Sequence, residues 1–288
     1  MDRTKIIAGL SALLLSSCAS PPHIVVGSKN FTEQLILGEI LAQQIERNMH
    51  VLVERKLNLG GTLLAHEALV QGSIDLYPEY TGTALMAVLK RPPATDPSTV
   101  LADVRAAYES QWKLAWLAPL GFENTFAMIV RGDTARDGKL SSLSDAARGG
   151  PWHFGVGYEF AQRADGLPGL LKAYGLRSAG DPVTMDLGLL YSALNSRRVD
   201  MIAANSTDGP ASALDVKILD DDRHYFPPYQ CAVVVREESL ARYPGLRAAL
   251  EQLSGKLTVE TMRRLNQAVD GDRRPIPQVA TEFLNSLR

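Results

Sequence analysis

Cysteine is nearly absent from this 288-residue chain, which has only Cys18 and Cys231. Two cysteines, one of them near the N-terminus, exclude a disulfide framework. A single internal thiol reads as a small buried hydrophobe rather than a nucleophile. Charge of either sign is also short of any excess: the formal net charge is -2 and 22% of residues are charged. That balance lacks the basic surplus of a phosphate-backbone partner, so nucleic acid is not expected. Long hydrophobic runs are missing beyond the N-terminal segment, and nothing there approaches the roughly 20 apolar residues that a membrane-spanning helix needs.

Enzyme and metal motifs are missing as well. His66-Glu67 opens the pattern H-E-x-x-H, but Val70 holds the second histidine position. His23, His50, His153 and His224 are scattered without ligand spacing. Gly255-Lys256 lacks the glycine that a phosphate loop requires, and no G-x-S-x-G elbow occurs. Asp220-Asp221-Asp222 reads as a solvated turn. No catalytic residue, cofactor or metal is expected.

The N-terminus carries an address. Arg3 and Lys5 precede the apolar run from Ile6 to Leu15, and small residues follow, which is the pattern of a secretory signal. Leu15-Ser16-Ser17-Cys18 looks like a bacterial lipobox, with residues 1–17 as signal peptide, Cys18 as the acylated anchor and residues 18–22 as a linker. The alternative is ordinary cleavage in the Ser17-Cys18-Ala19 stretch, which leaves a free periplasmic protein.

From Ile24 onward short apolar runs alternate with amphipathic helical stretches, which predicts an α/β architecture. Ile24 to Gly27 reads as a strand. Thr32 to Ile45 reads as a helix with Leu35, Ile36, Ile40, Leu41 and Ile45 on one face and Thr32 as N-cap. Val51 to Leu57 is the next strand, Gly60-Gly61-Thr62 opens a helix to about Gln71, and Ile74 to Tyr77 forms a strand ending at Pro78. A helix, a turn, Ile74-Asp75-Leu76 and then Tyr80 is echoed by a helix from Leu187 to Ser196, a turn, Val199-Asp200-Met201 and then Asn205. Two lobes built on such units would point equivalent strand ends at each other, with a ligand between them. Phe126–Val130 and Cys231–Val235 read as apolar strands near paired lobe crossings that make a hinge. Lobe one is then 23–127 plus 229–288, and lobe two is 128–228.

Several stretches carry a family resemblance. Ser28-Lys29-Asn30-Phe31-Thr32-Glu33-Gln34, Leu59-Gly60-Gly61-Thr62 and Tyr77-Pro78-Glu79-Tyr80-Thr81-Gly82-Thr83 are followed by Gly121 to Thr125, Ser206 to Gly209 and Phe226-Pro227-Pro228-Tyr229. In this order they resemble the glycine betaine, choline and carnitine binding proteins of osmoprotectant ABC importers. The resemblance implies a two-lobed periplasmic-binding-protein fold of type II character. It also implies a quaternary-ammonium or zwitterionic ligand, an ABC permease as partner, a location in the periplasm or cell envelope, and a monomer held at the membrane only by its lipid.

By motif position it implies an aromatic box of Tyr80, Phe126, Asn205 and Tyr229 and a carboxylate side of Lys29, Thr83 and Arg163. A quaternary ammonium has no N–H to donate, so ring faces are what recognise it. Two positions depart from the expected tyrosine: Phe126 keeps the ring face, whereas Asn205 removes a wall. Pro210 stands where arginine is usual. Trp112, Trp116 and Trp152 read as packing, and Tyr77 as a support of the site. Two other functions share this fold: capture of a different zwitterion or amino-acid derivative, and a periplasmic sensor module.

Overall fold

The computed structural model describes residues 23–287. The expected signal segment, the linker and Cys18 lie outside them. Among the described residues ten strands form two five-stranded mixed sheets. The first contains β1 (His23–Gly27), β2 (Leu52–Lys56), β3 (Leu76–Tyr80), β4 (Leu114–Trp116) and, from far along the chain, β10 (Cys231–Arg236), in the order β2-β1-β3-β10-β4. The second contains β5 (Phe126–Arg131), β6 (Phe154–Val156), β7 (Val183–Thr184), β8 (Met201–Asn205) and β9 (Val216–Ile218), in the order β7-β6-β8-β5-β9.

Both sheets are covered on both faces, which is why the inner strands β1, β5, β8 and β10 are apolar at nearly every position, whereas the edge strand β2 is largely exposed. In β1, Ile24 and Val26 join one core cluster while Val25 joins another. In β10, Cys231, Val233 and Val235 take the first side and Ala232 and Val234 the second. The second sheet divides in the same way, with Met128 and Val130 on one side and Ala127 and Ile129 on the other. Successive residues of a strand point to opposite faces, so two period-two sets fill two layers.

The two sheets are built alike in detail. The β3 residue Tyr80 pairs with Cys231 of β10, and the β8 residue Asn205 pairs with Phe126 of β5. At the other end of β3, Asp75 accepts from the Val25 N–H at 2.7 Å and its own N–H donates to Val25 O. Asp200 does the same at the start of β8, with His153 in the place of Val25. Arg236 and Arg131 end β10 and β5, and each donates to carbonyls at the end of a helix: Leu69 and Val70, or Leu194 and beyond it Val199. The sequence echo thus has a physical basis. Its aspartates fasten the strand before them, and five residues later its Tyr80 and Asn205 stand at matching strand ends.

Some boundaries differ from the sequence expectation. Helix α1 spans Thr32–Asn48 with Phe31 as its N-cap, and the Thr32 hydroxyl donates to Asp270 instead of capping. Pro78 lies inside β3, not after it. The proline is tolerated because β1 pairs with β3 only at Leu76, so no ladder bond is lost on that side. Helix α2 spans Thr62–Val70. Strand β5 belongs to the second sheet from Phe126 onward, so the crossing comes before Phe126 and not after residue 127. There the outgoing and returning strands lie side by side: Asn124 N–H donates to Tyr229 O, Cys231 N–H donates to Phe122 O, and Glu123 bridges Gln230.

Candidate functional site

The carboxyl ends of β3 and β8 face a cavity of about 840 Å³ between the sheets, where open α/β sheets bind ligands. All seven residues singled out from the sequence line it: Lys29, Tyr80, Thr83, Phe126, Arg163, Asn205 and Tyr229. Thr83 is buried at the end of the short helical turn Thr81–Thr83 that follows β3.

The rings form two groups. Tyr80 stacks on Phe31 with centroids 6.3 Å apart and planes inclined by 24°. Phe126 packs against Phe160 at 4.6 Å, Phe226 at 5.8 Å and, edge-on, Tyr229 at 5.9 Å. Tyr229 can come this close to the end of β3 because position 82 is glycine: a Cβ there would sit 2.9 Å from its ring and 2.7 Å from Pro228 O. The Tyr229 hydroxyl is buried without a hydrogen bond among the described residues. Burial pushes its pKa up, and the negative charge of Asp165 adds to the shift. The Tyr80 hydroxyl donates to Glu33 at 2.6 Å; burial raises its pKa, and the Glu33 carboxyl raises it further.

A cation of the protein lies over one ring of each group. Lys29 Nζ is 4.9 Å from the Tyr80 centroid, and the Arg163 guanidinium is 5.4 Å from that of Phe126. Each cation has its own carboxylate. Lys29 Nζ donates to Glu79 at 2.5 Å and to the Thr62 hydroxyl at 3.4 Å, and Tyr77 donates its hydroxyl to the same Glu79 at 3.0 Å. Arg163 is paired in bidentate fashion with buried Asp165. Tyr77 therefore supports the site from behind, as the sequence suggested. Lys29 and Arg163 therefore reach the cavity as ion pairs and not as uncompensated charges.

Glu33 ties the lobes together. One of its oxygens accepts from Tyr80 and from Asn124 Nδ2 at 2.9 Å; the other accepts from Thr207 Oγ1 at 2.5 Å and Asn266 Nδ2 at 3.2 Å. Burial raises its pKa, while these four donors oppose the rise. A second link joins Glu159 of the second lobe to the start of α2, where its carboxylate accepts from Thr62 N–H at 2.6 Å and from the Thr62 hydroxyl at 3.2 Å. A carboxylate at a helix N-terminus meets unsatisfied N–H groups and the positive end of the dipole. Arg263 adds a third link by donating to Ser206 O at 2.9 Å.

Asn205 does not face the cavity as a free amide. Its backbone N–H donates to Asp208 Oδ2 at 3.1 Å and its Nδ2 to Asp208 Oδ1 at 3.2 Å, while Tyr191 donates to the same carboxylate at 3.3 Å. Asp208 lines the cavity, and burial pushes its pKa up to about 7, with Glu33 and Asp270 contributing.

Sequence reasoning missed Phe31, Glu33, Asn124, Phe160 and Asp208 as cavity residues, although all but Phe160 lie inside the quoted motifs. Asn266 and Asp270 come from the helix Val259–Asp270, which gave no local signal. The tryptophans do pack elsewhere: Trp112 and Trp116 meet Tyr108 edge-on at 5.0 and 5.3 Å, and Trp152 donates to Ala146 O. His66 lies among the same rings, 4.5 Å from Trp112, with its pKa lowered by burial. Asp221 accepts from the backbone N–H groups of Tyr225 and Phe226. Among the described residues no cluster of metal-ligating side chains is present, and no helix is long and apolar enough to cross a membrane.

The sequence model of one protein family, the substrate binding domain of ABC-type glycine betaine transport systems, matches residues 22–286. The carnitine transport binding protein OpuCC of Listeria monocytogenes is 34% identical over 95% of this chain and 92% of its own length. The ergothioneine transport permease/ergothioneine binding protein EgtU of Helicobacter pylori is 35% identical over 92% of this chain, which spans only 47% of that relative's length. Among solved structures, a glycine betaine/carnitine/choline ABC transporter protein superposes with a TM-score of 0.76 at 31% identity, covering 91% of this chain and 98% of the other.

Proposed function

The chain belongs to the substrate-binding family of ABC-type glycine betaine transport systems, and from that premise we propose that it captures a quaternary-ammonium solute between its lobes and hands it to an ABC permease. The family consists of transport proteins, not enzymes. The observation that carries the ligand class is the convergence of Tyr80, Phe126 and Tyr229 on one interlobe cavity, next to cations already cancelled by Glu79 and Asp165. Ring faces attract a permanently charged, donor-free head, and a neutral surrounding does not repel it. Lys29, Thr83, Arg163 and Asn205 complete the ligand contacts in this proposal. Lobe one is residues 23–125 with 229–288, and lobe two is the segment between; the crossings act as the hinge. A ligand that touches both lobes only when they are closed favours the closed form.

In the same proposal the protein works outside the cytoplasm as a monomer, held at the membrane by lipid on Cys18, which raises its effective concentration at the permease. Calorimetric titration with choline, glycine betaine, carnitine and ergothioneine tests the ligand class. At least one should bind, and Tyr80→Ala and Tyr229→Ala should each weaken it tenfold or more, about 1.4 kcal/mol. Undiminished affinity in both variants would refute the aromatic site.

A further inference from the structure

The interlobe cavity offers more space than a quaternary head needs. Its volume is about 840 Å³, within the range of pockets that enclose most of a drug-sized ligand's surface. At about 30 Å³ for each water-sized group, a trimethylammonium head with its first methylene accounts for roughly 150 Å³. The cavity also extends along the carboxyl edge of the second sheet. There β8, β6 and β7 lie side by side and parallel, so the segments that follow them open on one edge. Asn205 ends β8, Gly157 follows β6, and Met185 and Leu187 follow β7; all four line the cavity. Leu187 lies directly on Gly157, where a Cβ would meet its Cδ2 at 2.6 Å.

The two parts of this edge differ in chemistry. On the ring side, Phe126 and Phe160 pack with the core cluster that holds Met128 and Val130. Met185, Leu187 and Tyr191 pack instead with the cluster of Ala127 and Ile129, on the opposite face of the sheet. Ala203 and Ala204, one on each face, both line the cavity and fill little of it. The Tyr191 hydroxyl is committed to Asp208, and Leu214 adds a further apolar side chain to the lining. Resting on the quaternary-ammonium reading given above, we propose that Met185, Leu187, Tyr191 and Leu214 form an apolar subsite beyond the rings, and that the cleft takes a quaternary-ammonium ion carrying an apolar tail of several methylenes. The head lies against Phe126 and Tyr229, and the tail passes Asn205 toward Leu187. Removing apolar surface from water is favourable without any partner charge, so a longer tail binds more tightly.

Titration calorimetry with ethyl-, butyl- and hexyltrimethylammonium ions decides the matter, because the head is constant and only the tail grows. Each methylene buried in the subsite should tighten binding about two- to fourfold, so the wild-type protein should bind the hexyl ion at least tenfold more tightly than the ethyl ion. Leu187→Ser and Leu214→Ser, on two separate segments and neither fully buried, should each narrow that hexyl-to-ethyl ratio at least threefold. Affinity that stays flat or falls with tail length would overturn the proposal, as would a ratio unchanged in both variants. Either result would leave the aromatic site standing, provided Tyr229→Ala still weakens binding of the ethyl ion. Absence of binding by every ion of the series would remove the aromatic reading and this subsite with it.

Discussion

At Lys29 and Arg163 the chain sets a cation over a ring and cancels its charge with a buried carboxylate. Removing one member of such a pair leaves an uncompensated charge in low dielectric, which costs about 3 to 5 kcal/mol. Glu79→Gln strands Lys29 and should lower stability by about that amount in denaturant unfolding, because Glu79 is wholly buried and Lys29 nearly so. Asp208 carries a different prediction. Its pKa lies near 7 because burial disfavours its charge. The folded state therefore holds a proton between about pH 4 and 7 that the unfolded chain releases, and this contribution to stability is lost as pH rises through 7. Binding of a cation runs the other way, since only ionised Asp208 attracts it. Choline affinity should rise about tenfold from pH 6 to pH 8 by one-proton linkage, and the rise should flatten in Asp208→Asn.

Among the elements, β5 and β10 are the instructive pair. Both read as apolar strands in the sequence, and both are the fourth strand of their sheet, end in arginine and pair with the strand that carries a cavity residue. The α/β alternation, the Asp75 and Asp200 echo and the strand ends were legible because local periodicity and short-range hydrogen bonds produce them. The expected strand stop at Pro78 was wrong because the missing neighbour that makes a proline harmless is a tertiary fact. For the same reason Lys29 could be placed in the cavity but not recognised as the partner of Glu79, 50 residues away. Asn266 and Asp270 had no signal, since the helix that brings them in packs from the C-terminal end of the chain. Gly82 shows how tightly these elements fit. Gly82→Ala would press a methyl against Pro228 O and the Tyr229 ring. The expected outcome is a loss of about 1 to 3 kcal/mol in thermal unfolding together with weaker ligand binding.

Across the whole molecule the two lobes meet through Glu33 with Thr207, Glu159 with Thr62, and Arg263 with Ser206. Gly61 belongs to the same junction, where a Cβ would lie 2.4 Å from the Glu159 carboxylate. A charged group that accepts a backbone N–H contributes roughly 1.5 to 3 kcal/mol, and Glu159 contributes it only while the lobes are together. Glu159→Ala should therefore raise the ligand dissociation rate about tenfold in stopped-flow measurements and leave the ligand-free protein's unfolding little changed, because Glu159 is exposed.

The most direct measurement compares choline with its neutral carbon isostere, 3,3-dimethyl-1-butanol, on the wild-type protein by titration calorimetry. Both have the same shape and the same hydroxyl, and only one carries the charge that ring faces attract. Choline should bind at least about thirtyfold more tightly, corresponding to about 2 kcal/mol. Equal affinity would mean that the rings only pack against the ligand, and would contradict recognition of a positive head between the lobes.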